Sequence, residues 1–184
     1  MNHFFRILAG ILFLCFTGFT YKAECTEWTI VSSTVSFKIK NAGFNIDGKF
    51  GSVTGAIIFD AAKNYNNSIV ANIDSKSINT GNGTRDGHLK KKNYFDVESF
   101  PKISMKASLF GKEKDGSFRG YFQLTMKDKT KDLLLPFSFI ETENKGVFKA
   151  TFRINRLDYG VGESSMILSD NATITLIVNV VKAK

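Results

Sequence analysis

The chain has 184 residues, of which 43% are hydrophobic, and carries a formal net charge of +8. This length suits one domain of ordinary size with a core of its own. The lysines are spread along the chain and are not clustered with aromatic residues, so the charge argues against nucleic-acid binding. Anionic lipid or cell-envelope polymers are better partners for such a chain, and a solvated basic surface is the simplest interpretation.

The first residues have the pattern of a secretory signal peptide. Arg6 precedes an apolar run over residues 7–19, which is too short to span a bilayer comfortably, and a polar stretch follows. Small residues near Cys25 give a weak cleavage site, whose exact position stays open. We predict a signal peptide over residues 1–25, a single domain over residues 26–184, and a periplasmic or secreted location.

Both cysteines, Cys15 and Cys25, lie within this leader. If cleavage follows Cys25, the mature domain has no thiol, which excludes disulfides, thiolate metal sites and a cysteine nucleophile together. His88 is the one histidine outside the extreme N-terminus, and a single histidine cannot build a multi-histidine metal site. The sequence therefore predicts no metal site and no dedicated cofactor.

Apolar and polar residues alternate with a period of two through most of the remaining chain, which is typical of β-strands with one buried face. The second run contains Gly51 and Gly55, which indicate a bulge or a sharp bend. In chain order, the apolar positions of the eight runs fall at residues 35–39, 53–59, 69–73, 103–109, 118–126, 133–139, 148–154 and 174–180.

Eight strands joined mostly by short antiparallel turns predict a sandwich or a closed up-and-down barrel. Closure removes the unpaired edges that strands of this length would otherwise expose. An outer-membrane barrel would also alternate, but the lysine-bearing faces and one long crossover favour an apolar interior and a wet exterior. We therefore predict an all-β protein, either a sandwich or an eight-stranded antiparallel up-and-down barrel.

The alternation stops once, in the crossover over residues 75–101. Asn82 or Thr84 can cap a short helix there, with Asp86 in its first turn and the lysines of residues 90–92 near its end. The simplest interpretation of this stretch is an ordered connection that closes one end of the barrel.

The crossover resembles the signature of the YceI-like family of secreted, lipocalin-like proteins. The residues that carry the resemblance are Ile78-Asn79-Thr80, Arg85-Asp86-Gly87-His88-Leu89, Tyr94-Phe95-Asp96-Val97 and Phe100-Pro101. It continues through residues 120–139, 156–162 and 168–170. The resemblance implies a lipocalin-like eight-stranded barrel whose lumen holds a long apolar molecule, typically a polyisoprenoid or quinone-like lipid, with no fixed catalytic residues.

An eight-stranded barrel can be filled by its own side chains or can hold one slim ligand, and the residues alone leave both open. The resemblance favours a ligand. Arg85 and His88 are candidates for contact with its headgroup at the mouth, although an internal tie between Arg85 and Asp86 and a hydrogen-bonded structural histidine are simpler roles. The predicted lumen residues are Phe37, Ile39, Phe50, Ile57, Phe59, Ile73, Met105, Phe122, Leu124, Phe137, Phe139 and Phe152.

A hydrolase-like enzyme acting on a small hydrophobic substrate is the competing hypothesis. It would use His88 as base, Asp86 or Asp96 to orient it, and Ser99 or Ser104 as nucleophile. No Gly-x-Ser-x-Gly motif or nucleotide-binding loop accompanies these residues, so we predict a binding protein and not an enzyme. A ligand-free envelope stress or scaffold protein is the third hypothesis. Peripheral membrane contact and a homodimer are both compatible with the sequence.

Overall fold

The computed structural model describes residues 25–63 and 65–183, so the predicted signal peptide lies outside the described residues except for Cys25. The described residues form one α-helix, α1, over Gly83–Leu89, and two 3₁₀-helices over Ser75–Ser77 and Arg156–Tyr159. None of these helices is long and apolar enough to cross a membrane. The strands are β1 Glu27–Asn41, β2 Phe44–Phe50, β3 Thr54–Ile58, β4 Ser68–Asp74, β5 Lys102–Lys112, β6 Phe118–Met126, β7 Lys129–Thr142, β8 Lys145–Asn155 and β9 Leu168–Lys182.

The strands form one closed antiparallel sheet. Each pairs with its neighbour in the order β2-β1-β3-β4-β5-β6-β7-β8-β9, and β1 also pairs with β9, which closes the ring. That pairing runs from Trp28 opposite Lys182 to Asn41 opposite Leu168. The β1–β9 pairing gives β1 partners on both sides, while the side of β2 that faces away from β1 has only the bridge between Lys49 and Asn79 among the described residues. The predicted eight-stranded barrel is confirmed.

The second barrel position is shared by two short strands. β2 pairs with residues 35–41 of β1, and β3 pairs with Glu27 and Trp28 at the other end of the same strand. The interruption falls over residues 51–53 and includes Gly51, and Gly55 in β3 has a φ of 147° that other residues rarely adopt. The sequence predicts a bulge or a sharp bend at Gly51 and Gly55 but not a separate strand β2; in the structure β2 and β3 share one barrel position, which accounts for nine strands in eight positions.

Strand β6 shows how the alternating sequence gives the barrel wall a buried inner face and an exposed outer face. Phe118, Phe122 and Leu124 are buried, while Arg119 and Tyr121 between them are exposed. Successive side chains of a strand point to opposite faces, so a period-two sequence gives one apolar interior surface. Each fully buried phenylalanine or leucine contributes about 1.5–3 kcal/mol to folding.

Helix α1 forms where the crossover was predicted to be helical. The Asn82 side chain accepts a hydrogen bond from the Arg85 backbone N–H at 3.0 Å, so Asn82 and not Thr84 is the cap. Reciprocal hydrogen bonds between the backbones of Lys49 and Asn79, at 2.8 and 2.9 Å, attach the crossover to β2. The crossover therefore covers one end of the barrel.

Candidate functional site

The two ends of the barrel are built differently, and the closed end is packed with aromatic rings. It is the end where β1 begins and β3 finishes. Phe59 is 1% exposed at its centre, and the Trp28 indole N–H donates to its carbonyl oxygen at 2.8 Å. Rings that contact Phe59 edge-on at centroid distances of 5.2–5.8 Å belong to Phe110, Phe118, Phe137, Phe139 and Phe148. Such edge-on contacts add to the stabilisation from burial alone.

The opposite end, the mouth, is where β1 reaches Asn41 and α1 crosses the opening. It leads into a cavity of about 490 Å³. The cavity walls are mainly apolar, and its polar residues belong largely to the crossover and to the loop that follows β8. The apolar lining includes Phe37, Ile39, Ile46, Phe50, Leu89, Tyr94, Phe95, Met126, Ile154, Ala172 and Ile174.

A smaller cavity of about 90 Å³ continues toward the closed end. It is lined by Met105, Leu124 and Phe152 and has hardly any polar surface. The residues that line both cavities are Phe37, Phe50, Met126, Ile154 and Ile174. The two cavities are therefore adjacent sections of one apolar interior.

The predicted lumen residues divide between the two ends. Those that line a cavity are Phe37, Ile39, Phe50, Ile73, Met105, Leu124 and Phe152. Those that lie instead in the packed core of the closed end are Ile57, Phe59, Phe122, Phe137 and Phe139. The role of either group in lipid binding stays a prediction.

Several lining residues were not predicted. Met126 and Ile154 continue the period-two series of Leu124 and Phe152, so the pattern itself could have found them. Ile46 lies on the short strand β2, which the surrounding glycines obscured. Leu89 and Tyr94 belong to the crossover, whose position over the mouth depends on tertiary structure.

Arg85 lines the mouth and is held by Thr80. Its Nε–H donates to the Thr80 hydroxyl at 2.8 Å, and its Nη2 donates to the Thr80 carbonyl oxygen at 2.9 Å. The Thr80 backbone N–H and hydroxyl both donate to Asp86 Oδ1, at 2.9 and 2.6 Å. Arg85 and Asp86 are thus linked through Thr80 and not to each other. Three of the five guanidinium N–H groups have no partner among the described residues.

His88 also lines the mouth, on the exposed side of α1. Its imidazole has no hydrogen-bond partner within residues 25–63 and 65–183, and Asp86 is already bound to Thr80. Ser104 lies in the smaller cavity and donates to Asn72 Oδ1 at 2.7 Å. His88 is therefore hydrogen-bonded to none of the groups that the enzyme hypothesis pairs with it, which are Asp86, Asp96, Ser99 and Ser104. Nor does any group of three His, Cys, Asp or Glu side chains in the described parts of the chain have the arrangement of a metal site.

Arg156 fixes the loop that follows β8 beside the mouth. It is 5% exposed, and its Nε donates to the Ser169 carbonyl oxygen at 3.0 Å. Its other nitrogens donate to the carbonyl oxygens of Val161 and Glu163, at 2.9 and 2.8 Å, and to Asp170 Oδ1, at 3.0 Å. These contacts offset the cost of burying the guanidinium. The sequence placed Arg156 in a family-like segment but did not predict this role.

Tyr159 lies beneath the same loop and is 1% exposed. Burial raises the pKa of its phenol to about 12, and the negative charge of Asp158 adds to this rise. Its hydroxyl has no hydrogen-bond partner among the described residues. Tyr159 packs with Ile103, Leu124 and Met126, so it connects the loop to the wall of the smaller cavity.

Comparison with known proteins gives a consistent result. The family model described as the YceI-like domain matches residues 28–180. A UPF0312 protein of Pseudomonas fluorescens is 29% identical over 162 residues, which cover 82% of each chain. A UPF0312 protein of Vibrio cholerae is 23% identical over 145 residues, which cover 73% of this chain and 77% of the relative.

Three solved structures share the fold at low sequence identity. Burkholderia cenocepacia BcnA superposes with a TM-score of 0.76 at 22% identity, covering 80% of this chain and 95% of BcnA. The Campylobacter jejuni YCEI protein gives a TM-score of 0.69 at 24% identity, over 77% and 86% of the two chains. A polyisoprenoid binding domain from Saccharophagus degradans gives a TM-score of 0.70 at 11% identity, over 87% and 99%.

Proposed function

Because this chain belongs to the YceI-like family, we propose that it binds a long apolar lipid, a polyisoprenoid or quinone-like molecule, inside its barrel. The single observation that carries the proposal is the apolar cavity of about 490 Å³ that opens beside Arg85 and His88. Bound there, the lipid is carried, stored or sequestered in the cell envelope. The protein acts by binding and not by catalysis.

The cavity has the size and surface that such a ligand needs. Pockets for small ligands usually measure about 300–1,000 Å³ and are lined mainly by apolar and aromatic groups. Burial of a hydrocarbon tail contributes about 0.8 kcal/mol per CH₂ group, so no charged group is needed inside the cavity to hold it. Met105 and Met126 can adjust their shape to a branched tail, because the methionine side chain is unbranched and flexible.

The mouth has the groups that a polar headgroup needs. Arg85 keeps three N–H groups without partners among the described residues, and Thr80 fixes its orientation. A guanidinium is a strong donor to phosphate or carbonyl oxygen. His88 lies on the same rim and can contact the same headgroup. The fold similarity to a polyisoprenoid binding domain from Saccharophagus degradans supports a ligand of this class.

The direct test is to purify the protein from its own host and analyse the solvent-extracted material by mass spectrometry. We expect a prenyl lipid in about stoichiometric amount. The matched variant is Ala172→Phe, which fills the cavity from β9 and should reduce the extracted lipid, because Ala172 lines the cavity and is 8% exposed. Leu109→Phe, on the outer surface at 65% exposure, is the control. Protein that is always empty and has no affinity for prenyl compounds would refute the proposal.

The location of the protein is part of the same proposal. A leader over residues 1–25 and a basic domain fit a periplasmic or secreted protein. N-terminal sequencing of the protein from fractionated cells would reveal the cleavage site. A homodimer and peripheral membrane contact stay predictions, which sedimentation and vesicle flotation would test.

A further inference from the structure

The interior cavities end at a wall of aromatic rings. Leu124 of β6 lines the smaller cavity, but Phe122, two residues along the same strand face, lines neither cavity. The Phe122 ring is 6.0 Å from the ring of Phe110 and 6.0 Å from that of Phe137, nearly perpendicular to both. Phe137 in turn contacts Phe59 at the centre of the closed end. The apolar cavities are therefore closed at this end.

The Phe122 ring is also packed against Gly120 of the same strand. A Cβ atom at Gly120 would stand 2.7 Å from the Phe122 Cε2 atom, so the ring lies directly over this glycine. Across the sheet, Phe122 is paired with Ala107, which is 8% exposed and also lies outside both cavities. A ring packed on a glycine and between two other rings has little room to swing aside.

The cavity volume between the mouth and this wall limits the length of the lipid tail that fits inside the barrel. A 150 Å³ protein cavity holds one benzene, which corresponds to about 25 Å³ per carbon. By this ratio the main cavity of about 490 Å³ holds about 20 carbons, and the smaller one of about 90 Å³ holds about four more. Together this is room for about 24 carbons, so a tail of about five isoprene units occupies the interior.

We propose that the Phe122 wall limits the length of tail that enters the barrel, so that affinity for prenyl chains rises up to about five isoprene units and no further. This inference rests on the proposed function, because it specifies the class of lipid that the same cavity accepts. Units beyond the fifth must stay outside the barrel. They bury little surface and add little affinity, since the gain from an apolar chain scales with the area removed from water.

The test is a binding series with prenyl alcohols of two, three, four, five, six and eight isoprene units, which share one headgroup. Each competes with a fluorescent two-unit analogue for the purified protein. In the wild type, we expect affinity to rise about tenfold or more from two to five units and to change less than about twofold from five to eight.

Phe122→Ala removes the wall and should move the plateau from five units to six, so that the six-unit alcohol binds about tenfold tighter than the five-unit alcohol. Phe148→Ala is the matched control, because it removes an equally buried ring of the closed end that lines neither cavity. This control should keep the wild-type plateau. A variant in the opposite direction, Ala71→Leu, fills the smaller cavity and should lower the plateau to four units.

The outcomes separate the two proposals. If no prenyl alcohol binds, the proposed function fails and the length preference fails with it. If affinity keeps rising through eight units in the wild type, lipid binding stands and the wall does not measure the tail. The same holds if the plateau of Ala71→Leu stays at five units, and this variant keeps the test decisive when Phe122→Ala does not fold.

Discussion

The ring of Phe37 lies directly on Gly48 of the neighbouring strand. The two residues are cross-strand partners between β1 and β2, and a Cβ atom at Gly48 would stand 2.2 Å from the Phe37 Cζ atom. The same ring lines both interior cavities. Gly48 thus provides the space in which an aromatic wall residue lies flat against the sheet, and it leaves the cavity open.

Gly48→Ala should therefore weaken lipid binding. The added methyl group pushes the Phe37 ring off the sheet and into the cavity, which we expect to lower prenyl-alcohol affinity about tenfold, or about 1.4 kcal/mol. The free energy of unfolding should fall by about 1–2 kcal/mol because of the same crowding. Titration calorimetry and urea unfolding measure the two effects. Gly111→Ala, with no atom within 4 Å of the new Cβ, is the control and should change neither.

Gly55→Ala should destabilise the barrel more strongly. Gly55 has a φ of 147°, and an added Cβ would lie 1.9 Å from the Val70 carbonyl oxygen on β4. Backbone strain and this clash together should cost about 4 kcal/mol or more. Urea unfolding checks the value. Gly87→Ala in α1 meets open space and should be neutral or slightly stabilising; equal stability of both variants would contradict the assigned backbone geometry.

Replacing Arg156 by methionine should lower the free energy of unfolding by about 3–5 kcal/mol, because Asp170 and three carbonyl oxygens lose their donor. Arg156→Lys should recover little, since one ammonium cannot reproduce the planar fork. Arg153→Lys on the exposed face of β8 is the control, expected within about 0.5 kcal/mol of wild type. A fully stable Arg156→Lys would show that charge alone holds the loop.

Tyr159→Phe should change the alkaline stability of the protein. The pKa of the buried phenol is about 12, against 10.0 for an ordinary tyrosine, so the folded state keeps its proton where the unfolded state loses it. This contribution is fully present below a pH of about 10 and disappears as the pH rises to about 12.

Between about pH 8 and pH 11, the wild type should therefore lose about 1.4 kcal/mol more stability than Tyr159→Phe. Urea unfolding at the two pH values measures the difference. Tyr121→Phe, at a position 60% exposed, should follow the wild type. An identical pH dependence for Tyr159→Phe and wild type would mean that the phenol ionises normally in the folded protein.

His88→Ala separates a lipid-binding protein from an enzyme. The imidazole has no hydrogen-bond partner among the described residues, and tail burial supplies most of the binding energy. We expect prenyl-alcohol affinity within about twofold of wild type and lipid still present in solvent extracts. Hydrolysis assays on small hydrophobic esters run beside the binding measurement. Turnover by the wild type that this variant abolishes would favour the enzyme hypothesis instead.

Strand periodicity predicts many of the residues that line the cavity, but it does not predict the depth of the cavity. The alternation of Leu124 with its neighbours predicts an inward side chain, and the same reasoning applies to Phe122. One of these residues lines a cavity and the other closes it. The difference lies in their height along the barrel axis, and height depends on how the strands are staggered when the sheet closes.

Local sequence patterns are enough to predict the inward phase of most strands and the position of the crossover that interrupts them. These are local properties, fixed by side-chain alternation and by the conformations open to residues such as Gly55. Three features depend on the closed barrel: β2 and β3 share one position, Arg156 joins residues 161–163 to residues 169–170, and one end of the barrel is packed while the other holds a cavity. Those features depend on which distant residues meet after closure, and no local pattern contains that information.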